Sequence, residues 1–258
     1  MEGLAITPDG KTLVGMMQTN LEQDKTNSLR IVTIDIGSGK THQYAYQLTD
    51  GTGVSEILTI NDHQFLVDER DGKGRGDKPL PTDKPSSAVV QKLYVIDLNG
   101  AQEVSGISGG DLSGYAVSKT LFLDIVKKLN DAGIDSLLIP SKLEGMAFGQ
   151  DVFIDGTTKH TVYVTNDNDF LGIIADPKDP KNKTVENPNQ FFVFAFDDSD
   201  LPGFVPQAPA RFVEGAFPLG DDSLQLQLFR RPDEICGLCI KGLGAQPRIF
   251  DFGQRLHQ

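Results

Sequence analysis

The sequence predicts an all-β fold of the β-propeller type, in which short antiparallel strands are grouped into repeats of four. Short apolar segments alternate with turn residues, and the 258 residues include 27 glycines and 14 prolines, which favours short strands over long helices. The segment Glu2-Gly3-Leu4-Ala5 has a counterpart in Glu144-Gly145-Met146-Ala147, and segments ending on aspartate recur at 30–35, 92–97 and 192–197. Such repeats are typical of propellers. A β-sandwich fits the strand content but does not predict the repeated Glu-Gly start.

The strands of three repeats follow from short apolar runs bounded by turn residues. The first repeat is predicted to have strands at 2–6, 12–17, 30–36 and 43–48. The second is predicted to have strands at 55–60, 64–67 and 92–98. The third is predicted to have strands at 144–148, 160–165 and 190–196.

One helix is predicted between the second and third repeats. The apolar residues Phe122, Ile125, Val126 and Leu129 have the helical spacing i, i+3, i+4 and i+7, and Gly133 follows as a residue that can end a helix. The predicted helix runs from about residue 120 to residue 131.

The chain is predicted to divide into a partial propeller at 1–206 and a C-terminal extension of uncertain structure at 207–258. In the extension, Cys236 and Cys239 form a Cys-x-x-Cys motif without the second pair that a structural zinc site needs. Three four-stranded blades make an incomplete propeller, because about four are the minimum for a closed ring. Three explanations are open: a longer exported protein of which this is the C-terminal part, a homodimer that completes the ring, or closure by the extension.

The charge balance excludes several partners. A net charge of −12 argues against nucleic acid, which requires a basic face. No apolar run approaches the ~20 residues of a membrane helix, so no membrane insertion is expected. The N-terminus has neither the basic nor the apolar segment of a signal peptide. Clustered carboxylates do suit a divalent cation such as Ca²⁺.

Six acidic or amide side chains are the predicted metal ligands. They are Glu2, Glu56 and Glu144 at the starts of innermost strands, and Asn166, Asp167 and Asp169 after the second strand of the third repeat. In a propeller the innermost strands line the central channel, so oxygen ligands from several blades can converge on Ca²⁺. The alternative for the second group is that these residues form a turn.

The charged segment that ends the second strand of the middle repeat supplies the predicted catalytic residues Glu69, Arg70 and Asp71. An arginine can clamp an anionic group, and a cation-bound water can attack an ester, so no serine or cysteine nucleophile is required. The alternative is a solvated run of charges.

Several collinear segments carry a family resemblance. They are Glu2–Leu13, Tyr44–Leu48, Ser55–Ile57, Gln64–Asp71, Lys92–Leu98, Lys119–Asp124, Lys142–Ala147 and Asn166–Phe170. In these segments the chain resembles the phytase-like family, also described as "esterase-like activity of phytase". The resemblance implies a propeller-like fold, acidic site residues, hydrolysis of phosphoesters or other esters, and an exported bacterial protein that is extracellular or periplasmic. Family members usually have a further stretch before the Glu-Gly-Leu-Ala segment, and often a glutamate where this chain has Gln18.

The sequence therefore favours a divalent-cation-dependent hydrolase, a metal-dependent phosphoesterase or esterase, acting on a small anionic or ester substrate. Arg70 beside Glu69 and Asp71 favours a phosphate ester. Two alternatives stay open: a non-catalytic, calcium-stabilised propeller that binds a ligand or partner, and a lactonase of the gluconolactonase type.

Overall fold

The computed structural model describes residues 1–25, 27–78, 86–206, 225–229 and 236–241. Most strands belong to three antiparallel sheets, and a short two-stranded hairpin lies apart from them. This arrangement confirms the predicted all-β, propeller-like fold. No helix among these residues is long and apolar enough to cross a membrane.

Each sheet is one blade, and its strands pair largely in chain order. The first blade consists of β1 (Gly3–Ile6), β2 (Thr12–Met16), β3 (Ser28–Asp35) and β4 (Thr41–Gln47). The second consists of β5 (Gly53–Thr59), β6 (Gln64–Arg70), β7 (Gln91–Asp97) and β8 (Ser118–Asp124). The third has β9 (Leu143–Phe148) and β10 (Val152–Ile154) along one edge of β11 (Thr157–Asn166), then β14 (Gln190–Phe196), β16 (Cys236–Lys241) and β15 (Gln225–Phe229). The hairpin joins β12 (Ile173–Ala175) to β13 (Thr184–Glu186).

The predicted helix exists but is shorter than its apolar spacing suggested. Residues 120–124 belong to β8, which pairs with β7 and completes the second blade. The helix α1 begins at Ile125 and ends at Asp131. Its start is fixed by Asp124, whose side chain accepts a hydrogen bond from the Lys127 N–H and so caps the first turn.

The middle blade is packed on both faces, and β6 shows how alternation achieves this. Phe65 and Val67 pack towards the first blade in one apolar cluster with Ile31, whereas Leu66 packs towards the third blade in another with Val164. Because successive side chains of a strand point to opposite faces, the next residues along β6 also face different blades. This placement positions the candidate site.

The innermost strands β1, β5 and β9 lie side by side. The approach of β1 to β5 is close, since a Cβ at Gly3 would lie only 2.7 Å from the Ile57 backbone nitrogen. At this position the glycine of the repeated Glu-Gly start therefore allows β1 to pack closely against β5.

The three described blades do not form a closed ring. On β1, the side chains of Leu4 and Ile6 point away from the second blade and are 56% and 46% exposed. Pairing of two copies to complete the ring stays a prediction.

Part of the predicted C-terminal extension contributes to the third blade, because β16 pairs with β14 and β15 pairs with β16. The predicted domain boundary at 206 stays a prediction. Cys236 and Cys239 both lie in β16. Residues three apart in an extended strand have Cα atoms about 10 Å apart, which is too far for these two cysteines to form a disulfide with each other.

At one end of the third blade, His160 joins two segments of the chain. Its ring nitrogens lie 2.8 Å from carboxylate oxygens of Asp151 and Asp198, and its ring contacts Phe196 and Phe204. Partial burial alone would lower the pKa of His160, but the hydrogen bonds with the two carboxylates outweigh it and raise the pKa above 6.5.

This raised pKa predicts a pH-dependent contribution to stability. The charged imidazole stabilises the fold fully below the unfolded-state pKa of about 6.5, and the contribution is lost as the pH rises through the higher folded-state value. We expect the stability advantage of the wild type over His160→Gln to shrink between pH 6 and pH 8.5 in urea titrations. A constant difference across that range would contradict the assignment.

Candidate functional site

The candidate site lies where the innermost strands begin, which is also where the second strand of each blade ends. Gly3 faces Met16, Gly53 faces Arg70, and Leu143 faces Asn166 in the strand pairing. The longer connections, 71–90 and 167–189, leave from this same end. We call this end of the described blades the axial mouth.

Arg70, at the end of β6, links the second blade to the third. One of its terminal nitrogens donates to the Glu144 carboxylate, 74 positions away in sequence. Its Nε donates to Ser55 Oγ at 2.8 Å, and Ser55 Oγ in turn donates to Asp68 Oδ2 at 3.2 Å. The Arg70 and Glu144 side chains are 13% and 28% exposed, so the pair is shielded but reachable from the mouth.

Asp68 opens the charged segment 68–71 that ends β6, but it is not among the predicted catalytic residues. Its side chain is fully buried, and its Oδ1 has no hydrogen-bond partner among the described residues. Burial raises the pKa of Asp68 to about 7, against the opposing influence of Arg70. The alternation of side chains along β6 could have identified Asp68, because Asp68 and Arg70 share the face that points to the third blade.

Two glutamates on neighbouring innermost strands have raised pKa values. Burial raises the pKa of Glu144, with Arg70 opposing and the carboxylates of Asp167 and Asp169 adding to the increase. Burial likewise raises the pKa of Glu56, and the exposed Glu2 adds to it. The structure thus brings predicted ligands from all three innermost strands to one end of the blades.

The residues after β11 form a turn. Asn166 is buried, and its side-chain oxygen accepts a hydrogen bond from the Gln190 N–H at 2.6 Å. Asp167 Oδ1 accepts from the Asp169 N–H at 2.8 Å, while the Asp169 carboxylate pairs with Lys142. Only the contact between Asp167 and Asp169 is the local kind expected of a turn, whereas Asn166 is the last residue of β11 and, like Asp169, has a partner distant in sequence.

Within the described ranges, no group of three or more His, Cys, Asp or Glu side chains is arranged to hold a metal ion. The predicted ligands line the mouth, but Arg70 occupies one oxygen of Glu144 and Lys142 occupies Asp169. The residues therefore do not fit a preformed calcium site, and the calcium site stays a prediction.

Glu69 and Asp71 are placed differently from Arg70. Glu69 is fully buried on the opposite face of β6, towards the first blade. Its carboxylate accepts hydrogen bonds from the N–H groups of Thr49, Asp50 and Gly51, the hydroxyl of Tyr46 and the ammonium of Lys119. Asp71 is buried, and its Oδ1 accepts from the Lys73 N–H at 3.0 Å, which shapes the start of the 71–90 connection.

The chemistry available at the mouth follows from Arg70 and the carboxyl groups around it. A guanidinium can hold an anionic oxygen in fixed geometry. A carboxyl group whose pKa is raised towards neutrality can take up or release a proton more readily at that pH. Together these groups can support hydrolysis of an anionic ester.

A family model described as "Phytase-like: Esterase-like activity of phytase" matches residues 1–170. The match includes β6 and β9, which carry Arg70 and Glu144. No curated protein and no solved structure matches the chain.

Proposed function

Because the chain belongs to the phytase-like family, which indicates a phosphatase-like or esterase-like hydrolase, we propose that it hydrolyses phosphate esters at the axial mouth. The observation that supports this proposal is the position of Arg70 between the carboxyl groups of two blades. An arginine held in a fixed position can bind a negatively charged phosphoryl oxygen without first reorganising.

In the proposed reaction, Arg70 binds a phosphoryl oxygen and stabilises the negative charge that develops on it. Glu144, as a carboxylate of raised pKa, accepts a proton from the attacking water. The water oxygen forms a bond to phosphorus as the bond to the leaving oxygen breaks. Glu56, in its protonated form, supplies a proton to that leaving oxygen, so the proton balance closes within the site.

Calcium dependence is a separate part of the proposal. The predicted ligands Glu56, Glu144 and Asp167 are not grouped to hold a cation among the described residues, so binding would require them to rearrange, with Glu144 leaving Arg70. A bound cation would neutralise charge on the phosphoryl group. The acidic composition, with a net charge of −12, supports this part of the proposal.

The test is a hydrolysis assay with 4-nitrophenyl phosphate, bis(4-nitrophenyl) phosphate and 4-nitrophenyl acetate, each with calcium and with a chelator. We expect turnover of the phosphomonoester. Replacing Arg70 with methionine should lower its kcat/KM about 100- to 1,000-fold. The matched control is Lys159→Met, which removes a cation paired with Asp197 at 2.6 Å at the opposite end of the third blade, and should leave turnover unchanged.

Each outcome of this assay has a distinct meaning. Absence of turnover on all three substrates would contradict the proposed hydrolase. Chelator-induced loss of thermal stability without turnover would instead favour the non-catalytic, calcium-stabilised binding module. Turnover that the chelator does not change would retain the hydrolase and reject calcium dependence.

A further inference from the structure

Phe170, in the turn that follows β11, has an unusual combination of exposure and backbone conformation. Its side chain is fully exposed, at 102% of the reference value. Asp169 and Phe170 have φ values of 51° and 58°, so two successive non-glycine residues adopt the left-handed conformation. This conformation is uncommon for a large aromatic residue and costs energy, so the surrounding structure must enforce it.

The turn is held by polar contacts of Asn168, Asp169 and the Phe170 N–H. Asn168 Oδ1 accepts from the Phe170 N–H at 3.1 Å, and Asn168 Nδ2 donates to the Asn187 carbonyl at 2.8 Å. The Asp169 carboxylate is paired with Lys142. The backbone at Phe170 is therefore held by these contacts, while the ring itself lies in solvent.

The turn lies at the rim of the axial mouth. The Asp167 N–H donates to the Lys142 carbonyl at 2.9 Å, and Lys142 is two residues before Glu144. Beyond Phe170, Ile173 at the start of β12 is 56% exposed. Two exposed apolar side chains, Phe170 and Ile173, therefore follow in the chain directly after the residues that line the axial mouth.

We propose that Phe170 is a specificity-determining residue that binds an aryl or other ring-shaped apolar group of the ester substrate. This inference rests on the proposed function, in which Arg70 holds the phosphoryl group of the same molecule. A phenylalanine on a held backbone has only its two side-chain torsions to order when it stacks against a substrate ring, and stacking prefers ring centroids about 4.5–7 Å apart. The substrate class that fits is an aryl phosphate, with the ring on Phe170 and the phosphate in the mouth.

The kinetic test compares 4-nitrophenyl phosphate with ethyl phosphate in the wild type, Phe170→Ala and Phe170→Trp. In Phe170→Ala we expect KM for the aryl ester to rise about tenfold with kcat unchanged, while KM for ethyl phosphate is unaffected. Phe170→Trp should keep the preference of the wild type for the aryl ester. The matched control is Phe153→Ala, which removes a 70% exposed phenylalanine from β10 at the other end of the blade and should change neither KM.

A binding measurement separates this inference from the proposed hydrolysis. Phenylphosphonate and methylphosphonate are not hydrolysed, so calorimetry reports their affinities even if the protein has no turnover. We expect Phe170→Ala to weaken phenylphosphonate binding about tenfold and to leave methylphosphonate binding unchanged. Equal phenylphosphonate affinities in the wild type and Phe170→Ala, or no binding to the wild type, would overturn the inference.

Discussion

Replacement of Asp68 by asparagine is expected to remove a large pH-dependent loss of stability. The folded protein holds the Asp68 proton up to a pKa of about 7, because the carboxyl is buried, whereas the ordinary value is 3.8. Between these values the folded state binds a proton that the unfolded state has released, so stability falls as the pH rises through this window. Asparagine has no such proton and does not show this loss.

The expected size is about 4 kcal/mol between pH 4 and pH 8, since one pKa unit corresponds to about 1.4 kcal/mol. The measurement is the free energy of unfolding in urea at several pH values, with the difference between Asp68→Asn and the wild type plotted against pH. Asp62→Asn, which changes an exposed turn residue, is the matched control and should show no such trend. Parallel curves for Asp68→Asn and the wild type would contradict the buried, protonated carboxyl.

A group that destabilises the fold near neutral pH without a structural benefit is a candidate for function. Asp68 accepts a hydrogen bond from Ser55, which accepts one from Arg70, so its charge acts on the proposed phosphate-binding group. If the protein is a hydrolase, the plot of its kcat/KM against pH should therefore lose its inflection near pH 7 in Asp68→Asn. A stability change without that kinetic change would restrict Asp68 to a structural role.

Local sequence patterns predicted much of the fold because each blade is built from short-range signals. The repeated Glu-Gly start located the innermost strands β1 and β9, and the apolar run at 55–60 located β5. The predicted helix start was wrong by about five residues. The apolar residues within 120–124 can be buried from a strand as well as from a helix. The pairing of β8 with β7 decided between the two, and this contact is not visible in a spacing of i, i+3 and i+4.

The site was less predictable because its contacts join different blades. Glu2, Glu56 and Glu144 follow from the repeat, but the pairing of Arg70 with Glu144 depends on how the second and third blades are aligned. The grouping of Glu69 with Arg70 overlooked the alternation of a strand, which directs these neighbours to opposite faces. Asn166 and Asp169 have partners, Gln190 and Lys142, that lie 24 and 27 positions away, beyond the range of local pattern.

Replacement of Glu69 by alanine is expected to cost about 3–5 kcal/mol in the free energy of unfolding. The Glu69 carboxylate is the shared acceptor at the junction of the first and second blades, with Lys119 Nζ at 2.6 Å and Tyr46 Oη at 2.7 Å. Burial alone would raise the pKa of Glu69, but the hydrogen bonds from the Gly51 N–H, Lys119 and Tyr46 outweigh it and lower the pKa. The carboxylate therefore stays charged.

Chemical denaturation measures this effect, and Glu103→Ala is the matched control. Glu103 also pairs with a basic group, His42, at 3.0 Å, but its side chain is 44% exposed, and an exposed pair contributes at most about 1 kcal/mol. Similar losses for the two variants would contradict the assignment of Glu69 as a buried junction.

The double variant Glu69→Ala/Lys119→Met separates two parts of that cost. Lys119 lies 4.5 Å and 4.3 Å from the ring centroids of Tyr46 and Tyr94, so a methionine there can pack between the rings and remove the uncompensated charge. The N–H groups of residues 49–51 and the buried Tyr46 hydroxyl nevertheless lose their acceptor, and a hydrogen bond to a charged group contributes about 1.5–3 kcal/mol. The double variant should therefore recover only part of the stability, whereas full recovery would show that the ion pair alone, and not the backbone hydrogen bonds, makes Glu69 necessary.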